Sequence, residues 1–484
     1  MPLSILFVTS EIHPLIKTGG LADVSAALPA AQRALGADAR VLVPGYRQVL
    51  ARLPQARPVA WFDHPYVTGQ VELRQAHLPG RDVPLYIVVW DAYFNRDGGP
   101  YQAPDGRDWP DNAFRFGLLS HAAALLASNA NLLPDWRPHI LHCNDWQTGL
   151  APAYLHYLGG VPTVMTIHNL AYQGNFDAGL LEPLRLPPES FSLHGLEYYG
   201  HLSFLKAGLY YADWLTTVSP TYAREIQHET LGFGMHGLLW ARRERLTGIL
   251  NGIDVREWDP AHDPHLPAPF SADHLEGKQV CKRVLQERLG LAAQANRPLL
   301  AVISRITYQK GSDVVLAITP EILRLGAQVA VLGAGETELE TALRALATRY
   351  PGQLSVTIGF DEGLSHLMEA GADIFLMPSR YEPCGLNQMY SQRYGTPPVV
   401  HATGGLADTV VDANPENLAA GTATGFIFHD MHYATVLEGV RRALDAWQER
   451  PVWRRIQQAG MRMDFSWEKS ARAYLDLYQR LLAR

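Results

Sequence analysis

The chain has 484 residues, of which 47% are apolar and 18% charged, with a formal net charge of −7 and three cysteines. This length exceeds one ordinary core and predicts two domains. The balance is globular, and it lacks the basic surplus of a nucleic-acid-binding protein. Cys143, Cys281 and Cys384 make no disulfide framework and no C-x-x-C pair. No apolar run reaches membrane-spanning length, and the N-terminus lacks the basic stretch of a signal peptide. A soluble, cytoplasmic protein without membrane or nucleic-acid partners is expected.

In chain order, short apolar runs alternate with longer helix-period stretches. Strands are predicted at residues 5–8, 39–43, 85–89, 140–142, 162–167 and 214–218, with helices at 22–35, 112–128 and 148–158 between them. The pattern restarts after Arg297, with strands at 299–303, 328–332, 354–358, 374–377 and 398–401. Alternating β and α predicts parallel sheets with helices on both faces, twice over. Residues 256–270, rich in Pro, His and Asp, read as a connector. A last helix at 467–482 follows the break at Asp464-Phe465-Ser466, and either domain can receive it.

The hexapeptide Thr18-Gly-Gly-Leu-Ala-Asp23 recurs as Thr403-Gly-Gly-Leu-Ala-Asp408, each copy between a predicted strand and a predicted helix. Two coincidental turns would explain this, but equivalent placement favours a shared task. Ligands of open parallel sheets bind beyond the carboxyl ends of the strands. Lys17, with Gly19 and Gly20 opening a helix, makes an anion site: the glycines allow close backbone approach and the helix offers bare N–H groups. Arg305 and Lys310 follow the strand at 299–303 and suit a diphosphate, though surface cations read the same way in isolation. Glu382 and Cys384-Gly385-Leu386 follow the strand at 374–377. Glu382 either faces the crevice or caps a helix, while amides from Cys384 onward suit a phosphate. Asp145 and His168 end neighbouring strands of the first half, and Asn251 sits in a turn at the junction. No Asp-x-Asp pair exists to hold a metal-bound nucleotide diphosphate. His139-x-x-His142 and His429-x-x-His432 lack the third ligand that zinc spacing shows.

As an ordered set, these motifs resemble the bacterial glycogen synthase and plant starch synthase family (retaining glycosyltransferase family 5), nearly end to end. Gly98–Tyr101 and Asp111-Asn112 extend the match. The resemblance implies a GT-B fold: two Rossmann-like, doubly wound parallel-sheet domains facing across a cleft. The expected division is residues 1–250, residues 251–460, and a C-terminal helix (461–484) returning to the first domain. The implied reaction moves glucose from ADP-glucose to the non-reducing end of an α-1,4-glucan with retention, using neither metal nor pyridoxal phosphate. Carried over by position, Lys17, Gly19, Gly20 and Asp23 would serve the donor, and Arg305 and Lys310 the departing diphosphate. Glu382 would hold the sugar, with His168 against the reacting glucose and Asp145 and Asn251 nearby. Gly385, Leu386, Thr403, Gly404 and Gly405, together with Cys384, would line the phosphate. Phe360 stands where relatives carry a tyrosine stacked near adenine, and Trp90-Asp91-Ala92-Tyr93-Phe94 also departs from the family pattern. The alternatives are a UDP-glucose-dependent or phosphorylase-like enzyme of the same fold, or a non-catalytic nucleotide-sugar or glucan-binding protein.

Overall fold

A computed structural model describes residues 2–130 and 132–483. The chain forms two compact units, Met1–Gly252 with Trp467–Arg484, and Ile253–Ser466.

The first unit is built on strands β1 (Ser4–Val8), β2 (Asp38–Pro44), β3 (Arg57–Asp63), β4 (Gln70–His77), β5 (Pro84–Val89), β6 (Ile140–Asn144) and β7 (Thr163–Ile167). A small antiparallel sheet, β8 (Asn175–Asp177), β9 (Glu197–Tyr198) and β10 (His201–Ser203), interrupts the run. The unit closes with β11 (Trp214–Thr217) and β12 (Leu246–Gly248). The main sheet runs β12-β11-β7-β6-β1-β2-β5-β4-β3. Its centre is apolar because helices cover both faces: β1, β6 and β7 are buried at every residue.

The sheet is parallel through its centre and antiparallel at one edge. β3 and β4 pair antiparallel with each other, and β4 with β5. Half of each of these strands faces solvent, so neither shows the continuous apolar run by which buried strands are recognised.

The chain leaves β1 towards β2 on one side and enters β6 on the other, so the topological switch lies between β1 and β6. Val8 pairs with Cys143, and Asn144 pairs with Thr166. The segments after β1, β6 and β7 therefore leave side by side at one sheet edge. The helix Trp467–Leu482 packs into this unit, burying Trp467, Tyr474, Leu477, Tyr478 and Leu481 in its core. Tyr478 Oη lies 2.6 Å from His142 Nδ1, and Gln32 Nε2 donates to that oxygen at 3.3 Å.

The second unit carries β13 (Leu299–Ile303), β14 (Gln328–Gly333), β15 (Leu354–Ile358), β16 (Ile374–Met377), β17 (Pro398–His401) and β18 (Phe426–Phe428). They form an all-parallel sheet in the order β15-β14-β13-β16-β17-β18, with its switch between β13 and β16. Residues 304–311, 378–386 and 402–405 follow the three central strands. The connector has no regular structure, yet it packs on this unit through Trp258 and Asp263.

Candidate active site

In the first unit, the loop after β1 turns on Glu11, which is only 3% exposed. Its carboxylate accepts from Thr18 N at 2.5 Å, Thr18 Oγ1 at 2.6 Å, Gly19 N at 3.3 Å and the Tyr101 hydroxyl. This one anion shapes the Lys17–Gly19 turn. Lys17, Thr18, Gly19 and Gly20 stay exposed, and Lys17 Nζ is held 2.8 Å from Asp23 Oδ1. The helix Gly20–Ala34 has no side-chain cap, so its first amides keep the donor character expected of them.

Asp145 follows β6 with φ 56° and ψ −179°, a backbone region that is essentially glycine's. Its Oδ1 accepts from His168 N at 2.8 Å, which ties the ends of β6 and β7 together. Burial raises the Asp145 carboxyl to about 7, although the amides of His168 and Asn169 pull it down. Burial lowers His168 to about 3, leaving a neutral ring with Nε2 2.9 Å from Asn144 Oδ1. Asn251 is also buried, and its Oδ1 has no partner among the described residues.

His142, read as half of a weak metal pair, is committed elsewhere. Its Nδ1 meets Tyr478 and its Nε2 meets Thr166 Oγ1 at 2.6 Å, while His139 Nδ1 accepts from Ser4 N.

In the second unit, the loops after β13, β16 and β17 are locked together. Arg380 makes two 2.7 Å bonds to Asp313 and lies over the Tyr308 ring at 3.4 Å, and its amide donates to Gln309 O. Gly311 comes so close to Pro378 that a Cβ there would lie 2.1 Å from its carbonyl oxygen. Within this frame Lys310 Nζ reaches Glu382 Oε2 at 2.5 Å, and Ser379 Oγ donates to the same oxygen at 2.9 Å. Glu382 is 6% exposed, and its Oε1 has no hydrogen bond among the described residues. Arg305 is exposed, with Nη2 3.1 Å from Gln309 Oε1.

The two hexapeptides sit differently. Thr403, Gly404 and Gly405 are buried against the Glu382–Cys384 backbone. Gly405 N donates to Glu382 O at 3.1 Å, so this amide is spent inside the protein, contrary to the expectation that it lines a phosphate. Gln388 Nε2 joins the loops further, donating to Cys384 O, Gly385 O and Thr409 Oγ1. The amides of Gly385 and Leu386 have no acceptor among the described residues. Cys384 is 5% exposed, whereas Phe360 is 82% exposed on the loop after β15.

Comparison with known proteins gives the family. A glycogen synthase of Nitrosospira multiformis is 54% identical across 99% of this chain and 97% of its own length.

The chain belongs to the glycogen synthase family.

A second member, from Thioalkalivibrio sulfidiphilus, is 51% identical across 99% of this chain and all of its own. The family model for the starch synthase catalytic domain matches residues 4–241, and that for glycosyl transferases group 1 matches residues 286–459. The solved catalytic domain of starch synthase IV from Arabidopsis thaliana, bound to ADP and acarbose, superposes with a TM-score of 0.90 at 29% identity over the full length of both chains. As a glycogen synthase homologue the protein is a glycosyltransferase, with the α/β GT-B fold. Among its described residues, no helix is long and apolar enough to cross a membrane.

Sequence reasoning missed Glu11, Ser379 and Gln388. Glu11 directly follows a buried strand, in the position where parallel sheets present functional groups. That placement was the available signal. The other two act through contacts that only folding creates.

Proposed function

We propose that this enzyme transfers glucose from ADP-glucose to the non-reducing 4-hydroxyl of an α-1,4-glucan with retention of configuration. The observation that supports it best is the Lys310–Glu382 pair at the switch point of the second unit. One ammonium N–H engages Glu382 and leaves the others for a phosphate. Arg305, on the same loop, adds a second cation for charge growing on the leaving diphosphate. Glu382 Oε1 accepts sugar hydroxyls. In the first unit, neutral His168, whose amide Asp145 holds, and Asn251 present polar atoms to the transferred glucose, while Lys17 and the Gly19-Gly20 turn take the donor's negative charge.

The protein's own cations supply the positive charge of the reaction, so the transfer needs neither metal nor pyridoxal phosphate. The transition state has oxocarbenium character, and the departing phosphate assists attack on the same face. A retaining glycosidase would use two carboxyls about 5 Å apart, one of them as nucleophile, and this reading gives neither Glu382 nor Asp145 that role. Donor and glucan are the substrates, the compartment is the cytoplasm, and the cysteines remain reduced. All three cysteines are buried and free.

Proton NMR of the fresh product on a maltooligosaccharide, in buffer containing EDTA, tests the reading. An α-anomeric signal for the new linkage is expected. A β signal, or a reaction stopped by EDTA alone, would overturn it.

A further inference from the structure

The first unit carries a cavity that the transfer reaction does not use. Tyr46 follows β2, residues 94–99 follow β5, and Arg115 lies near the start of the helix Asn112–Ala127. Together with Ile16 and Trp109, these segments line a cavity of about 10 Å³. That volume suits one particle of about the size of water and excludes a sugar or a nucleotide.

Charge decides what belongs there. Arg115 is 1% exposed, and a guanidinium does not give up its proton inside a protein. Its Nε donates to Tyr93 O at 2.9 Å, and its Nη1 to Pro100 O at 2.9 Å and Asn112 Oδ1 at 2.6 Å. All three acceptors are neutral, and Nη2 has none among the described residues. The carboxylates nearby are already taken. Asp111 holds both ends of Arg96, at 2.9 and 2.6 Å, and Asp97 pairs with Arg47 at 2.5 Å. Glu11 is committed to Thr18, Gly19 and Tyr101. Three guanidinium groups therefore line the cavity, and two carboxylates answer them. The rings of Tyr46, Phe94, Trp109 and Phe116 surround Arg115 at 5.5 to 5.9 Å, which eases the burial of a cation but offers Nη2 no oxygen. A second donor comes from Tyr46, which is 4% exposed and whose buried Oη has no partner among the described residues. A buried cation without a counter-charge, beside an unspent hydroxyl proton, is unfavourable. Water would accept from both donors and leave the charge unanswered.

We propose that this cavity is a binding site for a small monatomic anion, chloride, held by Tyr46 Oη and Arg115 Nη2. One such ion accepts from both donors and supplies the missing negative charge. Arg47 and Gln48, also in the lining, are exposed and accommodate a radius slightly larger than that of water. Arg115 already joins Tyr93 to Pro100, so the ion fastens this loop to the end of β2. It takes no part in glucosyl transfer.

Thermal melts and chlorine NMR of the full chain test the site, with sodium chloride exchanged for sodium gluconate at constant ionic strength and Tyr46→Phe beside wild type. The variant keeps the ring that meets Phe94 edge-on at 5.6 Å and loses only the hydroxyl. Chloride should raise the melting temperature of wild type to a plateau, a linkage effect of binding to the folded state. Tyr46→Phe should need at least about tenfold more chloride for the same rise, because it lacks one hydrogen bond to a charged group. The chlorine line should be broader with wild type than with the variant, and bromide should reverse the excess. Equal melting in chloride and gluconate would overturn the proposal and leave water as the occupant. Equal line broadening by the two proteins would also overturn it, marking adventitious ion binding elsewhere. So would reversal by sulfate, which is too large for the cavity.

Discussion

At the scale of single residues, two carboxyls behave in opposite ways. Glu382 is held by Lys310 and Ser379 with one oxygen left open. Replacing it with Gln keeps the shape and both contacts but removes the charge that fixes the ammonium. Glu382→Gln should lower turnover about 10²- to 10³-fold, the range seen when one aligned electrostatic contact is lost, with the melting temperature shifting by only a few degrees. Near-normal turnover would remove Glu382 from the mechanism. Asp145 instead retains its proton up to about pH 7 because it is buried. A carboxyl raised above its unfolded value favours folding most below about pH 4, and this contribution is lost as pH rises to about 7. Asp145→Asn does not titrate. The stability of wild type relative to this variant should therefore fall between pH 4 and 7, by at most about 1.4 kcal/mol per pH unit. Urea melts across that range supply the measurement, and a constant difference would show that Asp145 is already ionised at low pH.

At the scale of elements, the close packing of the Thr403–Gly405 turn on the Glu382 loop is what a side chain would break. Gly404 has φ 44°, and a Cβ there would lie 1.9 Å from Glu382 O. Gly404→Ala should cost about 1–3 kcal/mol and also displace Glu382, so thermal melts and turnover should both suffer. A variant with normal turnover would show that the loop does not depend on this contact.

The same scale explains what could be read in advance. β1, β7, β13 and β16 are buried throughout or nearly so, and their sequences are short apolar runs between turn signals. β3 and β4 form the half-wet edge of their sheet, where polar residues alternate with apolar ones and mask the strands. The hexapeptides are visible as a repeat, but their different fates depend on Glu11 meeting one and the Glu382 backbone meeting the other. Sequence spacing carries neither fact.

For the whole molecule, each unit places its candidate site residues at or beside the point where strand order reverses, so topology rather than local motif gathers them. This is why an ordered set of individually weak motifs could point to the family. Base selection was less legible: Phe360 is exposed and touches little in the unit that carries it. The most direct test is the initial rate of nucleoside diphosphate release, measured with ADP-glucose and with UDP-glucose, each with and without glycogen. ADP-glucose should support rapid release that depends on glycogen, with UDP-glucose much slower. Release that ignores the acceptor, or none from either donor, would contradict the assignment of Lys310, Arg305 and Glu382 to glucosyl transfer.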